Sequence, residues 1–315
     1  MNWEFNASLT QEVSVVKVAA MALLESLSPA EDQDAPAFEI RRPRQCAATP
    51  LIFASPHSGR LYPASMMAAS SLGATAIRRS EDVLVDDLIA PAAELGAVVI
   101  QARFARAFMD VNRAPFELDA DMFSDELPAH ARARTPRVAA GLGAIARVVA
   151  EGQEIYDRKL TFAEASARID QVHRPYHAAL ATLIGEARTA HGLAVLIDWH
   201  SMPSAAAGYT NGRRNDIVLG DRFGAACSPH IARLVELTLR EAGYRVARNV
   251  PYAGGYTTEF YGKPGGGIHA LQIELDRGLY LNETTLKPAR GYDKVKSDLA
   301  RVVAKLAKAD WPRLV

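Results

Sequence analysis

The chain has 315 residues, of which 49% are hydrophobic, and its 36 basic residues balance its 36 acidic ones. This length and composition are typical of a globular protein with one large domain or two modest ones. The neutral charge, without any cluster of Lys and Arg interleaved with aromatic residues, argues against a nucleic-acid partner.

The two cysteines, Cys46 and Cys227, are far apart in the sequence and have no CxxC spacing. They exclude a disulfide scaffold and a cysteine-rich zinc site, and they favour a reducing compartment. Charged residues interrupt the N-terminal apolar stretch, and no window is apolar enough to span a bilayer. We therefore expect a cytoplasmic protein with no membrane partner.

The N-terminal region differs in pattern from the rest of the chain. Residues 11–27 have the period of an amphipathic helix, and the acidic, proline-containing segment SPAEDQDAPA follows them. We predict an N-terminal helix and linker over residues 1–36 and a single catalytic domain over residues 37–315.

Within the predicted domain, short apolar runs alternate with stretches of helical period. The predicted strands are 38–40, 51–54, 97–101, 108–111, 194–197, 245–249 and 269–275. The predicted helices are 82–95, a long stretch over 137–192 that must be broken at least once, 229–242 and 294–308. Residues 116–136 are polar and aperiodic and are predicted to form an excursion near the site. The alternation predicts an α/β fold, a three-layer αβα sandwich with a central mixed, mostly parallel sheet.

Polar residues follow four of the apolar runs, where open α/β sheets build their sites. They are His57, then Asp110, Asn112 and Arg113, then Asp198 and His200, and finally Gln272, Glu274 and Asp276. Two histidines and a carboxylate are typical ligands of a catalytic zinc ion, and a further free glutamate would be the general base. The pattern therefore indicates a metal-dependent hydrolase.

Four of these residues also have a simpler interpretation. His57 could bond to the backbone of a turn, and Glu274 could belong to a buried ion pair. Asp198 could cap a turn, or it could accept a hydrogen bond from the ring of His57 and so orient that ring without binding the metal itself. Arg113 could grip a carboxylate or form an internal Arg–Asp bridge.

The motifs SPHSG, DVNR, DWHS and HALQIELDRGLYLNE, in this order between about Ile52 and Glu283, resemble those of the N-formylglutamate amidohydrolase family. The resemblance implies a fold like that of zinc carboxypeptidases and aspartoacylases. It also implies cleavage of the N-formyl or N-acyl amide of an acidic amino acid such as N-formyl-L-glutamate, giving formate and the free amino acid. A small-molecule N-acyl amino acid is thus the expected partner, and histidine degradation the expected pathway.

The resemblance implies a zinc ion bound by His57, Asp82 and His200, with Glu81 as the alternative to Asp82. The chain departs from the carboxypeptidase-like His-x-x-Glu pattern, because Arg60 stands three residues after His57. The acidic ligand is therefore expected from the segment SEDVLVDD.

The resemblance also implies the residues that meet the substrate. Glu274 matches the position of the general base, and Asn112 with Arg113 resembles the pair that grips a substrate α-carboxylate. Further substrate contacts are expected from a set of residues near these motifs: Arg106, Arg277, Tyr256 and His269.

Three alternatives remain open from the sequence. The chain could be a non-catalytic binding or regulatory module on the same fold, or a metal-dependent deacylase or peptidase with another substrate. A serine hydrolase is disfavoured because no GxSxG motif is present. The other histidines, His173 and His177 among them, are expected in solvated or locally bonded positions.

Overall fold

The computed structural model describes residues 35–44, 48–131 and 134–315, with the backbone alone at Glu151. The predicted N-terminal helix and linker therefore lie outside the described residues, apart from positions 35 and 36. In the part of the chain that the structure describes, no helix is long and apolar enough to cross a bilayer.

The strands of the described residues form one large sheet and two small pairs. They are β1 (Phe38–Arg41), β2 (Leu51–Ser55), β3 (Val98–Ala102), β4 (Ala194–Met202), β5 (Tyr209–Thr210), β6 (Arg213–Arg214), β7 (Ile217–Gly220), β8 (Val246–Arg248), β9 (Ile268–Asp276), β10 (Leu281–Asn282) and β11 (Lys287–Pro288). The seven-stranded sheet has the order β1-β3-β2-β4-β9-β7-β8.

The α-helices of the described residues are α1 (Ala64–Ala68), α2 (Ala74–Ile77), α3 (Val85–Ile89), α4 (Pro136–Ala139), α5 (Phe162–Arg168), α6 (Arg174–His191), α7 (Pro229–Glu241), α8 (Tyr256–Tyr261) and α9 (Tyr292–Leu306). A 3-10 helix over Ala90–Leu95 continues α3. A π-helical turn over Ile169–His173 joins α5 to α6.

The strands β3, β2, β4 and β9 run parallel, and they occupy the centre of the sheet. The edge strand β1 is antiparallel to β3, and β7 is antiparallel to β9. The longest ladder pairs β4 with β9 over nine residues and places Glu274 opposite His200. Because parallel strands share a direction, the polar residues at the ends of β2, β4 and β9 meet at one edge of the sheet.

Two apolar cores cover the two faces of the sheet. Neighbouring residues of a strand point to opposite faces, so Ile52 lies in the core with α5 and α6, and Phe53 in the core with α3, α7 and α9. Every residue of β2 and β4 is buried, which is expected of strands that helices cover on both sides. The structure confirms the predicted three-layer α/β fold with a mixed, mostly parallel sheet.

Some predicted elements differ from the observed ones. Residues 108–111 form turns rather than a strand, although their apolar side chains are buried in the core. The predicted helix over 137–192 is broken: the short helix α4 ends at Ala139, and the next α-helix begins at Phe162. Two glycines account for part of this interruption: Gly141 has φ +76°, and a Cβ at Gly143 would lie 2.4 Å from Glu117 O. The short strand β7 was not predicted.

Candidate active site

His57 and Asp82 are joined through their backbones, although 25 positions separate them. The Asp82 N–H donates to His57 O at 3.0 Å, and the Ser58 hydroxyl donates to Asp82 O at 3.0 Å. Ser58 Oγ also accepts from Asp86 N in the first turn of α3. These hydrogen bonds hold the segment that begins α3 against the end of β2. The side chains of His57 and Asp82 therefore lie at the same end of the sheet.

Three buried side chains converge on a site that could hold a metal ion. They are His57, Asp82 and His200. His200 Nδ1 lies 3.0 Å from His57 Nδ1 and 3.1 Å from Asp82 Oδ2, and His57 Nδ1 lies 3.4 Å from the same oxygen. Two imidazoles and a carboxylate are the ligand set expected of a catalytic zinc site.

A second group of carboxylates fixes the two imidazole rings. His57 Nε2 lies 2.7 Å from Asp110 Oδ1, and His200 Nε2 lies 2.9 Å from Asp198 Oδ2. A carboxylate oxygen facing each Nε2 favours the tautomer that carries the ring proton there and leaves the lone pair on Nδ1. Asp198 thus orients the ring of His200 rather than that of His57, whose partner is Asp110.

This arrangement of donors fits a cation. Two lone pairs and a carboxylate oxygen in contact repel one another unless a positive charge lies between them. Burial alone would lower the pKa of His200, but the carboxylates of Asp198 and Asp82 raise it well above its usual value.

The structure distinguishes between the two acidic candidates for the middle ligand. Glu81 is buried, but its carboxylate accepts hydrogen bonds from Tyr62 Oη at 2.6 Å and from Arg78 Nε at 2.9 Å. Asp82 turns its Oδ2 to the histidines, while Oδ1 accepts from Ser201 Oγ and Arg277 Nη2, both at 3.0 Å. The geometry therefore places Asp82, and not Glu81, among the candidate ligands.

We expect the Asp198→Asn substitution to weaken zinc binding by about 10- to 100-fold, because Asn no longer fixes the His200 tautomer with a negative charge. The measurement is the zinc dissociation constant of the purified protein by competition with a calibrated chelator. The exposed residue Asp121 provides the matched control Asp121→Asn. An unchanged zinc affinity in Asp198→Asn would contradict this role of Asp198.

Glu274 lies beside this group at the end of β9. It is buried, and its Oε1 accepts a hydrogen bond from Gln272 Nε2 at 2.8 Å. Burial is the main reason that its pKa is raised to about 7, and the neighbouring Asp82 charge adds to the effect against the opposing charge of His200. A carboxyl group with a pKa near neutrality can both accept and return a proton.

The candidate ligands and Glu274 open into a cavity of about 810 Å³. Six arginines line it, against the three carboxylates of Asp82, Asp110 and Glu274. The arginines are Arg79, Arg106, Arg113, Arg137, Arg222 and Arg277. This excess of positive charge suits an anionic ligand.

The predicted substrate-binding arginines reach the cavity, but they also have partners within the protein. Arg106 Nη2 lies 2.7 Å from Asp110 Oδ2, and Arg277 Nη2 contacts Asp82. Arg113 donates from Nε to Leu142 O at 3.0 Å and from Nη1 to Asn112 O at 2.8 Å. Arg106 and Arg277 therefore stabilise carboxylates of the site itself.

Asn112 lies at the cavity wall with both ends of its amide engaged. Its Nδ2 donates to Asp198 Oδ2 at 3.2 Å, and its Oδ1 accepts from Thr257 N at 2.8 Å. A Cβ at Gly255 would lie 2.6 Å from Asn112 Nδ2, so only glycine fits beside this side chain. Asn112 thus connects the site to the start of α8.

Neither His269 nor Tyr256, both expected to contact the substrate, is among the residues that line the cavity. His269 lies near the start of β9, opposite Val195, and its Nδ1 accepts from Ser228 N at 3.1 Å. It stands five residues before Glu274, which is about 16 Å along a strand. Tyr256 packs its ring against His177, with ring centroids 5.4 Å apart.

Sequence reasoning missed the roles of two further histidines. His173 Nε2 lies 2.9 Å from Arg113 O, and His177 Nε2 lies 2.8 Å from Val111 O. The two rings therefore hold the backbone on either side of Asn112. Their i, i+4 spacing on one helical face was the available signal, but the sequence did not show which loop they meet.

Comparison with known proteins adds an independent observation. The profile of the N-formylglutamate amidohydrolase family matches residues 49–281. The chain belongs to this family. An N-formylglutamate deformylase of Pseudomonas putida is 32% identical over 243 residues, which cover 75% of this chain and 83% of the relative. An N-formylglutamate deformylase of Pseudomonas aeruginosa is 31% identical over 238 residues, covering 74% and 83% respectively.

One solved structure agrees with the family assignment, and a second shows the same fold. The crystal structure of N-formylglutamate amidohydrolase from Ralstonia eutropha has 35% sequence identity and a TM-score of 0.82, and the match covers 87% of this chain and 98% of that one. A gene product of Agrobacterium tumefaciens, with 18% identity and a TM-score of 0.59 over 89% of this chain and 96% of its own, shares the fold.

Proposed function

We propose that the chain is a zinc-dependent amidohydrolase that cleaves N-formyl-L-glutamate to formate and L-glutamate. The observation that carries the proposal is the convergence of His57, Asp82 and His200 beside the buried Glu274, at one end of an arginine-lined cavity. The relatives named N-formylglutamate deformylase support the substrate, since the family profile spans the whole site.

In this proposal His57, Asp82 and His200 hold the zinc ion. When bound there, zinc supplies Lewis-acid chemistry, which polarises the amide carbonyl and makes water more acidic. Asp110 and Asp198 keep the two imidazoles in the tautomer that leaves Nδ1 free to bind metal.

Glu274 is proposed as the general base and acid. Its carboxylate takes a proton from the attacking water and delivers one to the amine that leaves when the C–N bond breaks. Burial raises the pKa of Glu274 to about 7, because removal from water disfavours the charged carboxylate. A pKa near neutrality suits both roles. The formyl carbon leaves as formate, and the amine remains on glutamate.

Arg113 is proposed to bind the substrate α-carboxylate. It lines the cavity, and it donates hydrogen bonds to the backbone carbonyls of Leu142 and Asn112 rather than to a carboxylate, so its charge is available to an anion. Fixing that carboxylate positions the scissile amide over the metal-binding end of the cavity. A cytoplasmic location and a place in histidine degradation are part of the same proposal.

Chelation tests the metal requirement. We expect a strong chelator to abolish hydrolysis of N-formyl-L-glutamate, and stoichiometric zinc to restore it, because the proposed reaction depends on a metal ion held by His57, Asp82 and His200. Formate release after exhaustive dialysis is the measurement. Full activity in a preparation shown by elemental analysis to contain no metal would refute the zinc mechanism.

A further inference from the structure

The arginines of the cavity differ in how their charges are balanced. Arg106 is paired with Asp110 and Arg277 with Asp82. Arg222 Nη2 lies 3.2 Å from the carboxylate of Glu259. These three guanidinium groups already have carboxylate partners within the protein, so they contribute less to the binding of an anionic ligand.

Arg137 is in a different position. It is partly buried in the cavity wall, on the short helix α4. Across the described ranges 35–44, 48–131 and 134–315, leaving out the side chain of Glu151, no hydrogen bond or ion pair engages its guanidinium group. A partly buried cation that faces a cavity without a partner is an unusual arrangement, and an anion from outside the protein would complete it.

The turn over residues 137–142 connects Arg137 to Arg113 through the backbone of Leu142. Leu142 N donates to Arg137 O at 2.8 Å, and Leu142 O accepts from Arg113 Nε at 3.0 Å. The two cations are close enough to interact: burial lowers the pKa of Arg113, and the charges of Arg106 and Arg137 lower it further against the opposing charge of Asp110.

The backbone that carries Arg137 is fixed by specific contacts. Thr135 Oγ1 accepts from Val138 N at 3.2 Å and donates to Glu117 Oε1 at 2.5 Å. Ala144 N donates to Glu117 O at 2.8 Å, so the same residue supports both ends of the turn. The position of Arg137 at the cavity is therefore built into this segment.

We propose that Arg137 binds the side-chain carboxylate of the substrate, while Arg113 binds its α-carboxylate, and that Arg137 thereby selects acidic N-acyl amino acids. This inference rests on the proposed function. An arginine fork matches a carboxylate in two parallel hydrogen bonds, and two such groups connected through the backbone of Leu142 suit a ligand with two carboxylates.

The test compares substrates that differ only in the side-chain charge. The values of kcat/KM for N-formyl-L-glutamate and N-formyl-L-glutamine are measured in the wild type, in Arg137→Gln and in the control Arg134→Gln, which removes an exposed arginine from the same segment. We expect Arg137→Gln to lose about 10- to 100-fold on N-formyl-L-glutamate alone. Equal losses on both substrates, or no loss on either, would overturn the proposal.

A binding measurement separates this inference from the proposed function. Calorimetry gives the affinities of the zinc-loaded protein for L-glutamate and L-glutamine. If the wild type hydrolyses neither formyl substrate, the proposed function fails, and the binding data alone decide the role of Arg137. A preference for L-glutamate that disappears in Arg137→Gln supports that role, and an equal or unchanged preference contradicts it.

Discussion

Glu274→Gln is expected to lower kcat for N-formyl-L-glutamate by about 10²- to 10⁴-fold, while zinc content and substrate KM stay near their wild-type values. The amide has the shape of the carboxyl group but cannot accept the proton of the attacking water. The hydrogen bond from Gln272 can persist, because the amide oxygen can replace Glu274 Oε1 as its acceptor. Steady-state kinetics and elemental analysis are measured on the same preparation.

The pH profile of the wild type provides a second reading of this residue. The base acts as a carboxylate, and burial raises the pKa of Glu274 to about 7. Protonation below that pH removes the base, so kcat/KM is expected to fall as the pH drops through this value.

Glu39→Gln, at an exposed position of β1, is the matched control for Glu274→Gln. Near-normal kcat in Glu274→Gln would remove Glu274 from the role of base.

His200→Ala is expected to reduce the zinc content from about one ion per chain to near zero, and to abolish turnover with it. The substitution removes Nδ1, the proposed metal-binding atom, which lies within 3.1 Å of both His57 Nδ1 and Asp82 Oδ2. It also leaves the buried carboxylate of Asp198 without its imidazole partner.

Elemental analysis of the purified variant is the measurement, with circular dichroism to show that the fold is retained. His230→Ala removes an exposed histidine at the start of α7 and is the control. A folded His200→Ala protein that still carries a full equivalent of zinc would place the metal elsewhere.

Local sequence patterns predicted much of the fold, and they marked several of the residues that the structure brings together at the candidate site. The strands ending near His57, His200 and Glu274 were predictable because each is an apolar run followed by polar residues. Strand order and the parallel ladder between β4 and β9 then bring these distant positions together. The choice of Asp82 over Glu81 required the structure, since adjacent residues of one turn differ only in the direction of their side chains.

Other features depend on contacts between segments that are far apart in the sequence. Asp110 lies in an apolar run that resembles a strand, and its role opposite His57 follows from turns that end the run. His269 and Glu274 belong to one sequence motif, but they stand five positions apart on β9, and of the two only Glu274 lines the cavity. Arg137 begins the stretch that was predicted as a long helix, and its cavity position depends on the short helix α4 and on the turn at Gly141 that interrupt this stretch.

The proposed ligands His57, Asp82 and His200 come from three segments, and up to 143 positions separate them. No short peptide of this chain contains the set, in contrast to motifs that place two ligands on one helical turn. Closing such long loops has an entropic cost, and packing of the sheet must offset this cost before the three ligands can come together. Metal acquisition is therefore expected to come late, after the central strands have assembled, and a nascent or unfolded chain would compete poorly for zinc.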